Sequence, residues 1–201
     1  MNVLAIASFG SVLETGILSS SGYYMNMREV GLKHNQIILG QIDALFHDAG
    51  LTMKDISLVL CTRGPGSFTA IRIVMSTAKG LAAGRDAAFL TIPTFDAVAD
   101  TFTWFPGYIV PVVDGRKGKF YTALYKSGEK LQQESDLEKD ELQRLLGADG
   151  PLLLVGENTA AMKAEWFPNA ADVIPVESGF TILSTLIERG TLLFNYKKTC
   201  D

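Results

Sequence analysis

Arg63-Gly64-Pro65-Gly66-Ser67-Phe68-Thr69 joins an apolar run, Ile56 to Cys61, to a long helix-like run, Ser67 to Ala83. The first run has the composition of a buried strand, and the second has helical periodicity. Two glycines permit a tight turn between them, and Pro65 stiffens it. Ser67 or Thr69 can cap the helix, whose free N–H groups then point at the loop. Such a loop either receives an anion or packs against another backbone. The anion reading makes Gly64, Gly66, Ser67 and Thr69 nucleotide contacts; the packing reading makes them a rigid turn.

Working outward, three strands are expected before this loop: Val3–Ala7, Val12–Ser19 and Gly22–Val30. A helix follows over His34–Ala49, with Ile37, Ile38, Ile42, Leu45 and Ala49 at helical spacing and Gly50 as its stop. Beyond the loop come a short strand, Ala88–Ile92, and a helix, Thr94–Thr103. The order then repeats: strands at Tyr108–Val113, Lys119–Tyr125 and Lys130–Glu134, a helix at Leu137–Leu146, a strand at Leu152–Val155, a helix at Asn158–Trp166, a strand at Asp172–Pro175 and a helix at Ser178–Arg189. Phe105-Pro106-Gly107 is the natural break. The expectation is an α/β chain of two βββαβαβα halves with mixed sheets, 1–105 and 106–201. That order resembles the duplicated actin-like ATPase (ribonuclease H-like) fold.

The composition bounds the function. Hydrophobic residues make up 47% of the 201 residues and charged residues 20%, enough for a full core. A net charge of −4 argues against a broad nucleic-acid surface. No apolar run approaches the ~18–20 residues of a membrane span, and no signal peptide is evident. Cys61 and Cys200 are too few for a disulfide framework or a zinc knuckle, which fits a cytoplasmic location.

A kinase-like site in this fold needs a carboxylate after the first strand. Here Ala7-Ser8-Phe9-Gly10 has none, and the matching turn of the second half, Asp114-Gly115-Arg116-Lys117-Gly118, has one. One acid is thin equipment for holding Mg²⁺ and activating a nucleophile. No Gly-Lys-Ser/Thr follows the loop, so it is no Walker motif. His34 and His47 lack metal-ligand spacing, so no metal is expected. Gly64-Pro65-Gly66-Ser67-Phe68 is no nucleophile elbow. Asp114 and Arg116 remain as either an anion contact or a local surface pair.

The two long helices carry another signal. Beside the stripe Ile38, Ile42, Leu45 the first helix has a second apolar edge, Leu39 and Phe46. Ser67–Ala83 is apolar around most of its circumference, which demands burial on all sides. Either both helices are sandwiched within the domain or the pair forms a subunit interface, with His34, Ile38, Ile42, Leu45, Ile71, Val74 and Ala78 as its residues.

Arg63 to Thr69, Ile71-Arg72-Ile73, Ser76-Thr77-Ala78-Lys79-Gly80-Leu81-Ala82 and Pro111-Val112-Val113-Asp114-Gly115-Arg116 together resemble the signature of the TsaB (YeaZ) family. The likeness covers most of residues 1–125 and thins beyond. It implies a non-catalytic subunit of the complex that forms N6-threonylcarbamoyladenosine in tRNA. That subunit binds a TsaD-like transferase through the two helices, and a TsaE-like ATPase joins them. It implies further that a homodimer can use the same helices and that tRNA is met only through the complex. No cofactor of its own is expected; ATP or ADP would sit at a shared interface. The chain departs from the family at Ala7, where an Asp is common, and at Ala70, where a Gly is common. The rival from the residues is an actin-fold ATP-dependent phosphotransferase working in the cleft between the halves, with Asp114 holding the metal.

Overall fold

β1 (Val3–Phe9) is buried at every position. A strand so uniformly apolar needs cover on both faces and belongs in the middle of a sheet. The computed structural model, which describes residues 1–117, 119–138, 140, 141, 144 and 150–200, puts it there. β1 pairs antiparallel with β2 (Val12–Ser19), which pairs with β3 (Gly22–Glu29) across the Ser20-Ser21 turn. On its other side β1 runs parallel to β4 (Leu58–Thr62), and β4 to β5 (Ala88–Ile92). The sheet order is β3-β2-β1-β4-β5.

Alternation in β1 sorts its side chains to opposite faces. Leu4 and Ile6 join Leu13 and Ile17 beneath α1 (His34–Ala49) and α2 (Phe68–Ala83), which bring Ile38, Ile42, Leu45, Val74, Ala78 and Ala82 to one core. Each large aliphatic side chain there stabilises the fold by about 1.5–3 kcal/mol. Gly50, with φ 63°, ends α1 in the left-handed conformation that glycine adopts without strain.

The opposite face is covered by α5 (Leu183–Cys200). Close approach is possible because glycines stand at the contacts: a Cβ on Gly16 would lie 2.5 Å from Leu183 Cδ2, and one on Gly190 2.5 Å from Leu60 Cδ1. α3 (Thr94–Thr101) is tied to α5 by Arg189, whose guanidinium lies 2.6 Å from the Asp96 carboxylate.

The second sheet repeats the plan. β6 (Tyr108–Arg116), β7 (Lys119–Lys126) and β8 (Glu129–Glu138) are antiparallel neighbours. β9 (Leu152–Val155) and β10 (Val173–Val176) extend it in parallel, giving the order β10-β9-β6-β7-β8. Val110, Val112, Leu124, Leu152, Leu154 and, from α4 (Thr159–Trp166), Met162 form its core. The two sheets share one topology, that of the duplicated actin-like fold.

By contacts the chain divides into Met1–Ala97 with Thr181–Asp201, and Val98–Phe180. These units differ from the halves 1–105 and 106–201, because repetition of elements and compactness are separate properties. The closing helix is last in the second repeat yet packs on the first sheet. It also begins later than Ser178, since Gly179 adopts φ 82° and Thr181 Oγ1 accepts from the Leu183 N–H. Leu137 and Glu138 are strand rather than helix, and most of the remaining helix expected to Leu146 lies outside the described residues.

Candidate functional site

Arg63 and Gly64, the first residues of the loop, spend their backbone N–H groups within the fold. The Arg63 N–H donates to Ile92 O at 3.0 Å, the Gly64 N–H to Thr94 Oγ1 at 3.0 Å, and the Thr94 N–H returns to Gly64 O at 2.7 Å. Gly64 has φ 97°, and a Cβ there would meet Ile71 Cδ1 at 2.9 Å. The loop is therefore shaped to let Ile71 lie against it. Ser67 is the N-cap of α2, its hydroxyl accepting from the Ala70 N–H at 3.5 Å. Every one of these features serves the packing reading. Thr69, on the first turn of α2, is exposed.

The helix pair requires a correction. Ile38, Ile42, Leu45, Val74 and Ala78 are at most 3% exposed within this chain and belong to its own core. His34 is 3% exposed and Ile71 is half-buried against the loop. The stripe expected to meet a partner is thus the stripe that holds the helices to their sheet. A helix puts its broadest apolar stripe against the nearest sheet, so only residues left over from it can serve a partner. Those left over are Leu39, 61% exposed, and Phe68, 67% exposed. The Arg72 guanidinium lies over the Phe68 ring, 3.8 Å from its centroid. Leu39 was legible as a second apolar edge of α1; Phe68 was hidden inside the loop motif.

At the end of β1 three elements meet. Ser8 Oγ lies 3.0 Å from His34 Nε2, and the Ser8 N–H donates to Thr62 Oγ1 at 3.2 Å. His34 also hydrogen-bonds the Gly31 backbone, and burial lowers its pKa from the usual value. A neutral ring that gives its one proton to a carbonyl leaves the other nitrogen to accept from the serine hydroxyl. Such a pair could activate a nucleophile, but both residues are at most 4% exposed, and no substrate reaches them. Their chemistry here is to pin the start of α1 to β1 and β4.

The missing acid of the first turn has a structural counterpart. Ala7 is fully buried in β1, with Glu14 of β2 directly across the ladder. Glu14 accepts from Thr181 Oγ1 and from the Ile182 N–H at the start of α5. Burial raises its pKa, and those hydrogen bonds counter the rise. Glu14 is thus committed to holding α5.

Asp114 and Arg116 belong to the other compact unit. They lie in β6 at a bulge, not in the turn expected from the sequence, and Asp114 is exposed opposite Phe120. Among the described residues no three His, Cys, Asp or Glu side chains cluster as metal ligands. Among them, too, no helix is long and apolar enough to cross a membrane.

Residues 28–186 match a protein-family model described as TsaD, tRNA N6-adenosine threonylcarbamoyltransferase. The chain is 30% identical over 135 residues to the tRNA threonylcarbamoyladenosine biosynthesis protein TsaB of Bacillus subtilis, covering 65% of this chain and 59% of that one. It is 27% identical over 131 residues to the Escherichia coli protein of the same name, covering 64% and 57%. The matched stretch thus spans less than two thirds of either relative's length. Among solved structures, YeaZ from Pseudomonas aeruginosa superimposes with a TM-score of 0.79 at 18% identity, over 98% of this chain and 93% of that one, a likeness of fold.

Proposed function

Since the chain belongs to the family of the TsaD model, and within it to the TsaB/YeaZ group, we propose that it acts in tRNA threonylcarbamoyladenosine formation as a non-catalytic subunit that binds and supports a TsaD-like transferase. The observation that carries this reading is the outward apolar residue on each of the paired helices, Leu39 and the Phe68–Arg72 stack. An exposed aromatic under an arginine has the composition of an interface hot spot. The sealed Ser8–His34 pair supports a subunit that works through its partner, since its hydroxyl is spent on the histidine.

In this reading α1 and α2 pack against helices of the transferase and a TsaE-like ATPase joins the pair. The same face serves a homodimer when the transferase is absent. ATP or ADP would lie at a shared interface, and tRNA is met through the complex, in keeping with the chain's net charge of −4.

The test is reconstitution with TsaD-like and TsaE-like proteins from the same source. The wild-type chain should bind the transferase and support tRNA modification. Phe68→Ser with Arg72→Glu should weaken that binding by about tenfold or more while the melting curve holds. Unchanged binding by the folded double variant overturns the assignment of the surface, and full modification without the chain overturns the function.

A further inference from the structure

β3 is the outer strand of its sheet; its charges, Arg28 and Glu29, stand at its far end, and the stretch Gly22-Tyr23-Tyr24-Met25-Asn26-Met27 carries none. It has no proline, no lysine and no bulge against β2, features that native edges use to refuse further pairing. Across the two-residue turn the closing pair is Ser19 with Gly22. In such a hairpin that pair exchanges hydrogen bonds, and bonded pairs recur at every second residue. Tyr24 and Asn26 therefore bond inward to β2, while Tyr23, Met25, Met27 and Glu29 turn their N–H and C=O groups outward. The side chains of Tyr23, Met25 and Met27 form an exposed apolar row on one face.

On the other face the edge borders a groove of about 520 Å³ between β3 and α1. Gln41 lines it, 9% exposed; its Nε2 donates to Asn26 O at 2.9 Å, and its Oε1 is buried without a partner. Thr15, across the ladder from Asn26, likewise has a buried Oγ1 without a partner. Arg28 is the one charged residue of the lining, and Gly40 leaves open space on the helix side.

We propose that this edge is an isologous interface for a second copy of the chain, joining two β3 strands antiparallel into one continuous sheet. The register is set by self-complementarity. With Asn26 on the two-fold axis, Tyr23 meets Glu29 of the second copy and Met25 meets Met27, so every outward backbone group finds its mate. On the groove face Arg28 comes against Tyr24, a cation over an aromatic ring. The second copy's Asn26 amide enters beneath Gln41, supplying the donor its Oε1 lacks. Met25 and Met27 pair across the seam and leave solvent. The groove side of α1 turns toward the second copy, with Gly40 and Ala44 making room.

Sedimentation velocity of the full chain over a wide concentration range tests this. Expected is a reversible monomer–dimer equilibrium, weakened about tenfold or more by Met25→Pro with Met27→Pro. Proline at outward-facing positions removes only donors that point away from β2, so the fold tolerates it. The whole series is run in a Phe68→Ser, Arg72→Glu background, which disables the homodimer of the α1/α2 face, so that the remaining association reports the β3 edge. If the proline variant fails to fold, Asn26→Cys in a Cys200→Ser background gives a second reading. A non-hydrogen-bonded pair on the axis brings the two sulfurs within disulfide reach, and mild oxidation should yield a covalent dimer. A chain that stays monomeric, a folded proline variant that dimerises like the wild type, or a cysteine variant that does not cross-link overturns the proposal.

Discussion

Ser8 Oγ and His34 Nε2 lie 3.0 Å apart in a hydrogen bond that ties the first turn of α1 to the end of β1. The ring is buried and its pKa is lowered, so the folded state prefers it neutral. The unfolded chain protonates it near 6.5. Stability from the neutral ring is therefore complete above that value and declines as pH falls toward the folded value. Denaturant melts at a series of pH values should show this loss, and His34→Gln should flatten the slope. His34→Ala leaves the Ser8 hydroxyl without its partner and should cost about 1–3 kcal/mol. A wild-type stability that does not fall below pH 6.5 contradicts the neutral assignment.

Val74→Asp separates core from surface. Val74 is fully buried among Leu4, Ile6 and the α1 stripe. A carboxylate there has no partner, and several kcal/mol of stability should be lost. Loss of partner binding by this variant would follow from unfolding and say nothing of contact. The expected result is a strongly lowered melting temperature, read by circular dichroism. Arg72→Glu, on the exposed face of the same helix, should leave that melt within about 0.5 kcal/mol of wild type.

These two variants show where sequence reading succeeded and where it stopped. The bounds of α1 followed from periodicity and Gly50, because both are local. The duplication followed from element order, since β1 and β6 occupy matching positions in their sheets. Which apolar side of α2 faces inward was not local. It depends on where the sheet lies, and Ala70, Ile71, Val74 and Ala78 look alike in sequence. The Ser8–His34 contact spans distant elements and has no spacing signature. Glu14 sits in a strand whose length and alternation concealed that its carboxylate caps a helix at the other end of the chain.

Cys61 should be inert. It is fully buried in β4, and burial pushes its thiol up to about 12, where no useful thiolate exists at neutral pH. In a Cys200→Ser background, native protein should not react with a thiol-specific reagent, and denaturant should release one equivalent. Rapid labelling under native conditions would mean that β4 opens far more easily than its central place in the sheet implies.

Glu14 is the anchor of α5, and its charge opposes its geometry. Its carboxylate accepts from Thr181 Oγ1 and from the Ile182 N–H, at the end of the helix where negative charge is favoured. Burial still dominates and raises its pKa above the ordinary 4.5. A raised carboxylate stabilises the fold fully below the unfolded value, and that contribution is lost as pH rises through the folded one. Glu14→Gln keeps an acceptor for the Ile182 N–H and removes the titration. It should match or exceed wild-type stability above neutral pH, its advantage shrinking toward pH 4.5. Glu14→Ala keeps neither acceptor nor volume and should lose about 1–3 kcal/mol near pH 4.5, the loss shrinking as pH rises and the wild-type carboxylate is forced to ionise. It should also speed hydrogen exchange in α5 more than in α1, because the helix held by Glu14 covers the opposite face of the sheet. Equal stability losses in the Gln and Ala variants would show that the side chain acts by filling space and that the helix start does not need its oxygen.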